Sequence, residues 1–155
     1  MYYFAYGSNL DPAQMARRCP GATLVGPAQL ADHRLCFPRR SPVRGCAVAS
    51  VEPHEGGIVW GVIYKLGRED LMHLDAREGF DPVNLCAVNR YDRVDVAVTR
   101  SGQSVSAMMY VAVPEPEPGL PSVTYLKHIV DGAAAHGLPD DYVARLRAVD
   151  VTEDA

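Results

Sequence analysis

The chain has 155 residues, 48% of them hydrophobic and 22% charged, with 15 Lys and Arg against 19 Asp and Glu and a formal net charge of −4. That length suits one domain over residues 1–155 with a single core. The acidic balance offers no basic field to a nucleic-acid backbone or an anionic membrane, so neither is expected as a partner and a small molecule is.

In chain order, the aromatic-rich residues 2–6 run straight into Gly7-Ser8-Asn9, which predicts a buried strand ending in a loop. The stretch lacks a basic flank and breaks off too soon for a signal peptide or a membrane span. Asp11-Pro12-Ala13-Gln14 has the pattern of a helix start: Asp as N-cap, Pro at the first helical position, and Gln three residues after the cap to complete a capping box. This helix is expected to end by Pro20-Gly21. Between residues 22 and 66, apolar runs at Leu24, Leu35, Cys46 and Ile58 alternate with Gly, Pro and Arg, and His54-Glu55 falls in a Gly-rich turn. No helix separates these runs, so several antiparallel strands are predicted.

Leu71 and Leu74 set a short helix over residues 68–77 that stops at Glu78-Gly79. Strands over residues 91–98 and 104–113 flank Arg100-Ser101-Gly102-Gln103, a hairpin turn. Residues 114–121 hold four prolines and read as an extended connector. Ser122 caps a helix to about residue 135, closed by Gly137, and residues 140–148 make a last short one. Met72, Met108 and Met109 are expected in the core.

Cys19, Cys36, Cys46 and Cys86 are too sparse for a disulfide scaffold and form no C-x-x-C pair, which predicts reduced thiols in a cytoplasm. The five histidines show no metal-ligand spacing, so no metal and no cofactor are expected. Ser8 is not in a G-x-S-x-G elbow and no cysteine has an obvious His partner, which leaves covalent catalysis without support. Three features remain. Gly7-Ser8-Asn9 at a strand end can aim successive backbone N–H groups at an anion, although an ordinary strand-to-helix turn has the same composition. Glu78 sits against the negative end of a helix dipole, an unfavourable place for a carboxylate; it is either a solvent-facing residue beside a helix-ending Gly or, if buried, a proton carrier whose pKa is raised. Arg39, Arg40 and Arg44 form either a solvated loop or a receptor for a substrate carboxylate.

Together, Tyr6-Gly7-Ser8-Asn9-Leu10, residues 59–64, Leu74-Asp75-x-x-Glu78-Gly79 and the C-terminal Pro121-Ser122-x-x-Tyr125 with Gly132-Ala133 and His136-Gly137-Leu138-Pro139-x-x-Tyr142 resemble the γ-glutamylcyclotransferase-like family. The resemblance implies an α+β fold: a small, mainly antiparallel β-barrel with flanking helices, as a monomer or homodimer. It implies cyclisation of a γ-glutamyl amine or γ-glutamyl amino acid to 5-oxoproline, with Glu78 as general acid and base. It places Tyr6, Gly7, Ser8, Asn9 and Leu10 around the γ-glutamyl group, and Tyr91, Tyr110 and Tyr125 in the pocket wall. Residues 80–90 form a longer loop than in the human-type enzyme and are expected to shape acceptor specificity. The glutathione-acting members resemble Y-G-S-L and are longer chains, so Asn9 and the length point toward smaller substrates. Whether the loop at residues 7–9 grips the α-carboxylate or the oxyanion stays open. So do a non-catalytic binder on the same fold and an enzyme that removes a γ-glutamyl group from a dedicated metabolite.

Overall fold

The aromatic stretch at the N-terminus becomes one stave of a closed five-stranded barrel. The computed structural model describes residues 1–84 and 88–154. Its strands are β1 (Tyr2–Ala5), β2 (Thr23–Ser41), β3 (Cys46–Lys65), β4 (Tyr91–Arg100) and β5 (Gln103–Ala112), in the spatial order β1-β3-β2-β4-β5. Neighbours are antiparallel except where β1 closes the barrel against β5, in parallel, with Tyr3 opposite Met108. The expected fold class holds, with α1 (Pro12–Arg18), α2 (Arg68–Glu78), α3 (Val123–Ala135) and α4 (Asp140–Arg147) flanking the barrel.

The several strands predicted between residues 22 and 66 are instead two strands of 19 and 20 residues. Their pairing shifts register between Leu24 and Gly26, Ala31 and His33, and Cys36 and Arg39. Such irregularities bend a long strand around a barrel without ending it, which is why the breaks in apolar pattern do not become strand ends. His54-Glu55 accordingly lies within β3, at a bulge where Asp32 accepts a hydrogen bond from the Gly56 N–H at 3.1 Å.

Phe4, Val59, Val62, Ile63, Val98 and Met108 are buried on the two faces of the barrel strands, and with Leu126, Ile129, Ala133, Tyr142 and Leu146 of α3 and α4 they form one continuous core. Met108 and Met109 are buried as expected, whereas Met72 is 64% exposed because α2 turns Asp70, Leu74 and Asp75 inward and leaves Met72 on the opposite face. Cys19, Cys36 and Cys46 are free thiols. Cys86 lies outside the described residues. Among the described residues, no helix is long and apolar enough to cross a membrane.

Candidate active site

At the end of β1 the chain turns through Gly7 into a single 3-10 turn, Ser8–Leu10, in which Leu10 N–H donates to Gly7 O and Asp11 N–H to Ser8 O, both at 3.0 Å. This turn fixes the next element. Asp11 caps α1 as expected, accepting from the Ala13 N–H at 3.0 Å. The capping box does not form, because the Asp11 N–H that Gln14 would serve is already spent on Ser8 O. Gln14 turns inward instead, is 4% exposed, and donates to Ser8 Oγ at 2.8 Å and to Asn9 Oδ1 at 3.0 Å.

Asn9 is held on three sides: it accepts from Gln14 and, at 2.9 Å, from Arg18, and it donates to the Tyr3 hydroxyl at 3.0 Å. Among the described residues, the backbone N–H groups of Gly7, Ser8 and Asn9 have no protein partner, as befits the first residues of a helical turn. The turn is therefore a rigid donor array.

A cavity of about 320 Å³ opens over this turn, lined among others by Tyr3, Tyr6, Gly7, Ser8, Asn9, Glu78, Tyr91, Tyr110 and Tyr125. The sequence-predicted residues thus converge, with Leu10 as the exception: it is fully buried in the core and lies off the cavity wall. With three residues per turn, a 3-10 helix sends Ser8, Asn9 and Leu10 off in three different directions, and Leu10 takes the one that faces the core.

Glu78 is the last residue of α2, and Gly79 follows in the left-handed conformation at φ 68°. That conformation favours glycine, and the missing side chain has a second use. A Cβ on Gly79 would lie 2.3 Å from Nε of Arg90, so glycine lets the Arg90 guanidinium lie beside the helix end. Part of Glu78 stays accessible, yet its carboxyl lies deep enough that burial pushes its pKa up, to about 6, against the opposing pull of Arg18, Arg90, Arg44 and Arg77. Arg18, half-buried, has its own pKa pulled down by the loss of solvent, with Glu78 resisting.

The tyrosines are pinned individually. Tyr6 donates to the Tyr110 carbonyl, and Tyr91 donates to Ala49 O at 2.7 Å. Tyr110 donates to Asp75 at 2.6 Å, whose other oxygen pairs with Arg93 at 2.6 Å. Asp75 lies one turn before Glu78, so the same carboxylate that orients Tyr110 also ties α2 to β4 and β5. Tyr125 accepts from the Ala49 N–H at 2.9 Å, and burial pushes its phenol up to about 12. Tyr125→Phe is therefore expected to lower folding stability by about 1–3 kcal/mol, the cost of leaving a buried N–H unpaired; denaturant melts check this, and an unchanged midpoint would show that the Ala49 N–H finds another partner.

Sequence reasoning missed Tyr3, Gln14, Arg18, Asp75, Arg77 and Arg90. Asp75 stood within the Leu74-Asp75-x-x-Glu78 block but carried no role there. Arg18 had no local signal, because its use depends on α1 folding back over Asn9. The Arg39, Arg40 and Arg44 cluster does line the cavity.

Residues 58–146 match the family model of the AIG2-like family. The chain is 32% identical to human γ-glutamylcyclotransferase over 96% of its own length and 78% of the relative's, and 31% identical to the mouse protein of that name over 97% and 79%. A solved γ-glutamyl cyclotransferase superposes with a TM-score of 0.88 at 30% identity, covering 98% of this chain and 89% of that one. Barrel, cavity and sequence agree, and the chain belongs to the γ-glutamylcyclotransferase, AIG2-like family.

Proposed function

We propose that this protein cyclises a γ-glutamyl amino acid or γ-glutamyl amine, releasing 5-oxoproline and the free amine, with Glu78 as general acid and base. The observation that carries the reading is Glu78 itself: a carboxyl in the wall of a tyrosine-lined cavity, facing a donor-rich turn, with its pKa raised to about 6. At neutral pH such a group is mostly ionised yet takes and returns a proton readily.

The substrate supplies its own nucleophile. Its α-amine attacks the γ-carbonyl carbon and a C–N bond forms. Glu78 takes the proton released from that amine and delivers it to the leaving nitrogen as the original amide C–N bond breaks. Nothing else is consumed. Folding the substrate so that the two ends meet is the orientation part of catalysis, and the tyrosine walls supply it. The free N–H groups of Gly7, Ser8 and Asn9, with Arg18 behind them, fit the substrate α-carboxylate best. Three unpartnered donors beside a guanidinium in the lining of one cavity match a permanent charge.

With γ-glutamyl-alanine as substrate, purified protein is expected to release 5-oxoproline, with kcat/KM falling as pH drops through about 6 and Glu78 becomes protonated. No release from any γ-glutamyl amino acid or γ-glutamyl amine would overturn the reading. Release without that acid limb would keep the activity and remove Glu78 from it.

A further inference from the structure

A chain with a net charge of −4 concentrates on one cavity, among the described residues, six arginines, Arg18, Arg39, Arg40, Arg44, Arg77 and Arg90, against the single carboxylate of Glu78. Among the described residues, few of these cations are neutralised. Arg39 faces Glu115 at 3.9 Å and donates to the Val113 carbonyl at 3.1 Å. Arg18 and Arg44 bond only to neutral oxygens, of Asn9, Gln14 and Ser8. Arg40, Arg77 and Arg90 have no ion-pair partner within 4 Å. Setting Glu78 and Glu115 against six cations leaves four positive charges around the space a substrate enters.

The γ-glutamyl half of a substrate cannot balance them. Its one carboxylate is taken by the turn at residues 7–9 and Arg18. The leaving nitrogen must lie next to Glu78, which protonates it, so whatever that nitrogen carries shares the cavity with Arg77, the chain neighbour of Glu78, and Arg90, packed over Gly79. Arg40, near the end of β2, and Arg44, from the β2–β3 turn, line the same cavity, with Arg44 stacked 5.2 Å above the Tyr125 ring. A neutral amine would leave these guanidinium groups unmatched, and a cationic one would meet like charge in a recess where field lines are focused.

We propose that the preferred leaving amine carries two negative charges of its own, from a dicarboxylic amino acid or a phosphate monoester. The proposal rests on the cyclisation reading above and names its acceptor class. The test is 5-oxoproline release from γ-glutamyl-aspartate, γ-glutamyl-phosphoethanolamine, γ-glutamyl-alanine, γ-glutamyl-ethylamide and ε-(γ-glutamyl)-lysine, each at low and high salt. A dianionic substrate is expected to exceed γ-glutamyl-alanine by about tenfold or more in kcat/KM, chiefly through KM, with the advantage narrowing as salt screens the rim. The better of the two dianions identifies the acid group. In Arg40→Gln/Arg77→Gln, both exposed positions, the ratio of dianionic to neutral substrate is expected to fall toward one, with the melting temperature as a check on folding. Equal rates across the panel, a reversed ranking, or a ratio unchanged in the double variant would overturn the proposal while leaving cyclisation in place. No release from any of the five would overturn the cyclisation reading and this proposal together.

Discussion

Glu78→Gln is expected to reduce kcat for 5-oxoproline release by about 10²–10⁴, the range for removing a positioned general acid and base, and to make the protein more stable at neutral pH. Both effects come from one cause. Glutamine has the shape of the protonated acid, which is the form that burial favours at this site. The folded-state pKa of about 6 exceeds the ordinary value of 4.5, so the folded protein holds this proton more tightly than the unfolded chain. Below 4.5 both states are protonated and the site costs nothing. As pH rises to 6, the unfolded chain ionises first and stability is lost; above 6 the loss is constant. A shift of that size corresponds to about 1–2 kcal/mol after allowance for partial exposure, or a few degrees in melting temperature for a domain of this size. Thermal melts of the two proteins should therefore diverge between pH 4.5 and 6 and coincide below that range. A variant that loses turnover but melts earlier at pH 8 would mean that the cavity arginines stabilise the carboxylate more than burial penalises it. Near-normal turnover would remove Glu78 from the chemistry.

Much of this site was legible because the signals were local. Gly79 after Glu78 marks a helix end in any sequence, and the αL conformation there follows from residue type. Asp11-Pro12 and Ser122 are caps, and both act as caps. What escaped the sequence depends on contacts across the chain. Gln14 belongs to a capping box until the 3-10 turn takes the N–H it would bind, after which its amide becomes the strut between Ser8 and Asn9. Leu10 reads as part of one motif with its neighbours, but the turn points it into the core. The long strands β2 and β3 look like several because a barrel bends them at bulges, and bulge positions leave the same Gly and Pro marks as loops do.

Gly132 lies in the last turn of α3, where alanine would favour the helix by up to about 1 kcal/mol, yet Gly132→Ala is expected to damage folding or catalysis. A Cβ at this position would fall 2.3 Å from the Leu10 carbonyl carbon, 2.4 Å from its oxygen and 2.6 Å from the Asp11 nitrogen. All three are backbone atoms, so no rotamer change relieves the contact. Either α3 lifts off the barrel or the 3-10 turn moves. Lifting α3 disturbs Ile129 and Ala133, both fully buried, and overpacking of this kind costs about 1–3 kcal/mol. Moving the turn displaces Ser8 and Asn9, which Gln14 and Arg18 hold at hydrogen-bond distance. A shift of about 1 Å in a substrate-positioning group can cost about 10² in rate. Comparing kcat/KM at a temperature well below the melting point separates the two responses: a destabilised but fully active variant means that α3 gave way, whereas a large loss in kcat/KM with intact folding means that the turn did. If Gly132→Ala changed neither, the close approach of α3 to the turn would not be what holds residues 8–10 in place. The turn would then owe its position to the side-chain network of Gln14, Arg18 and Tyr3 alone.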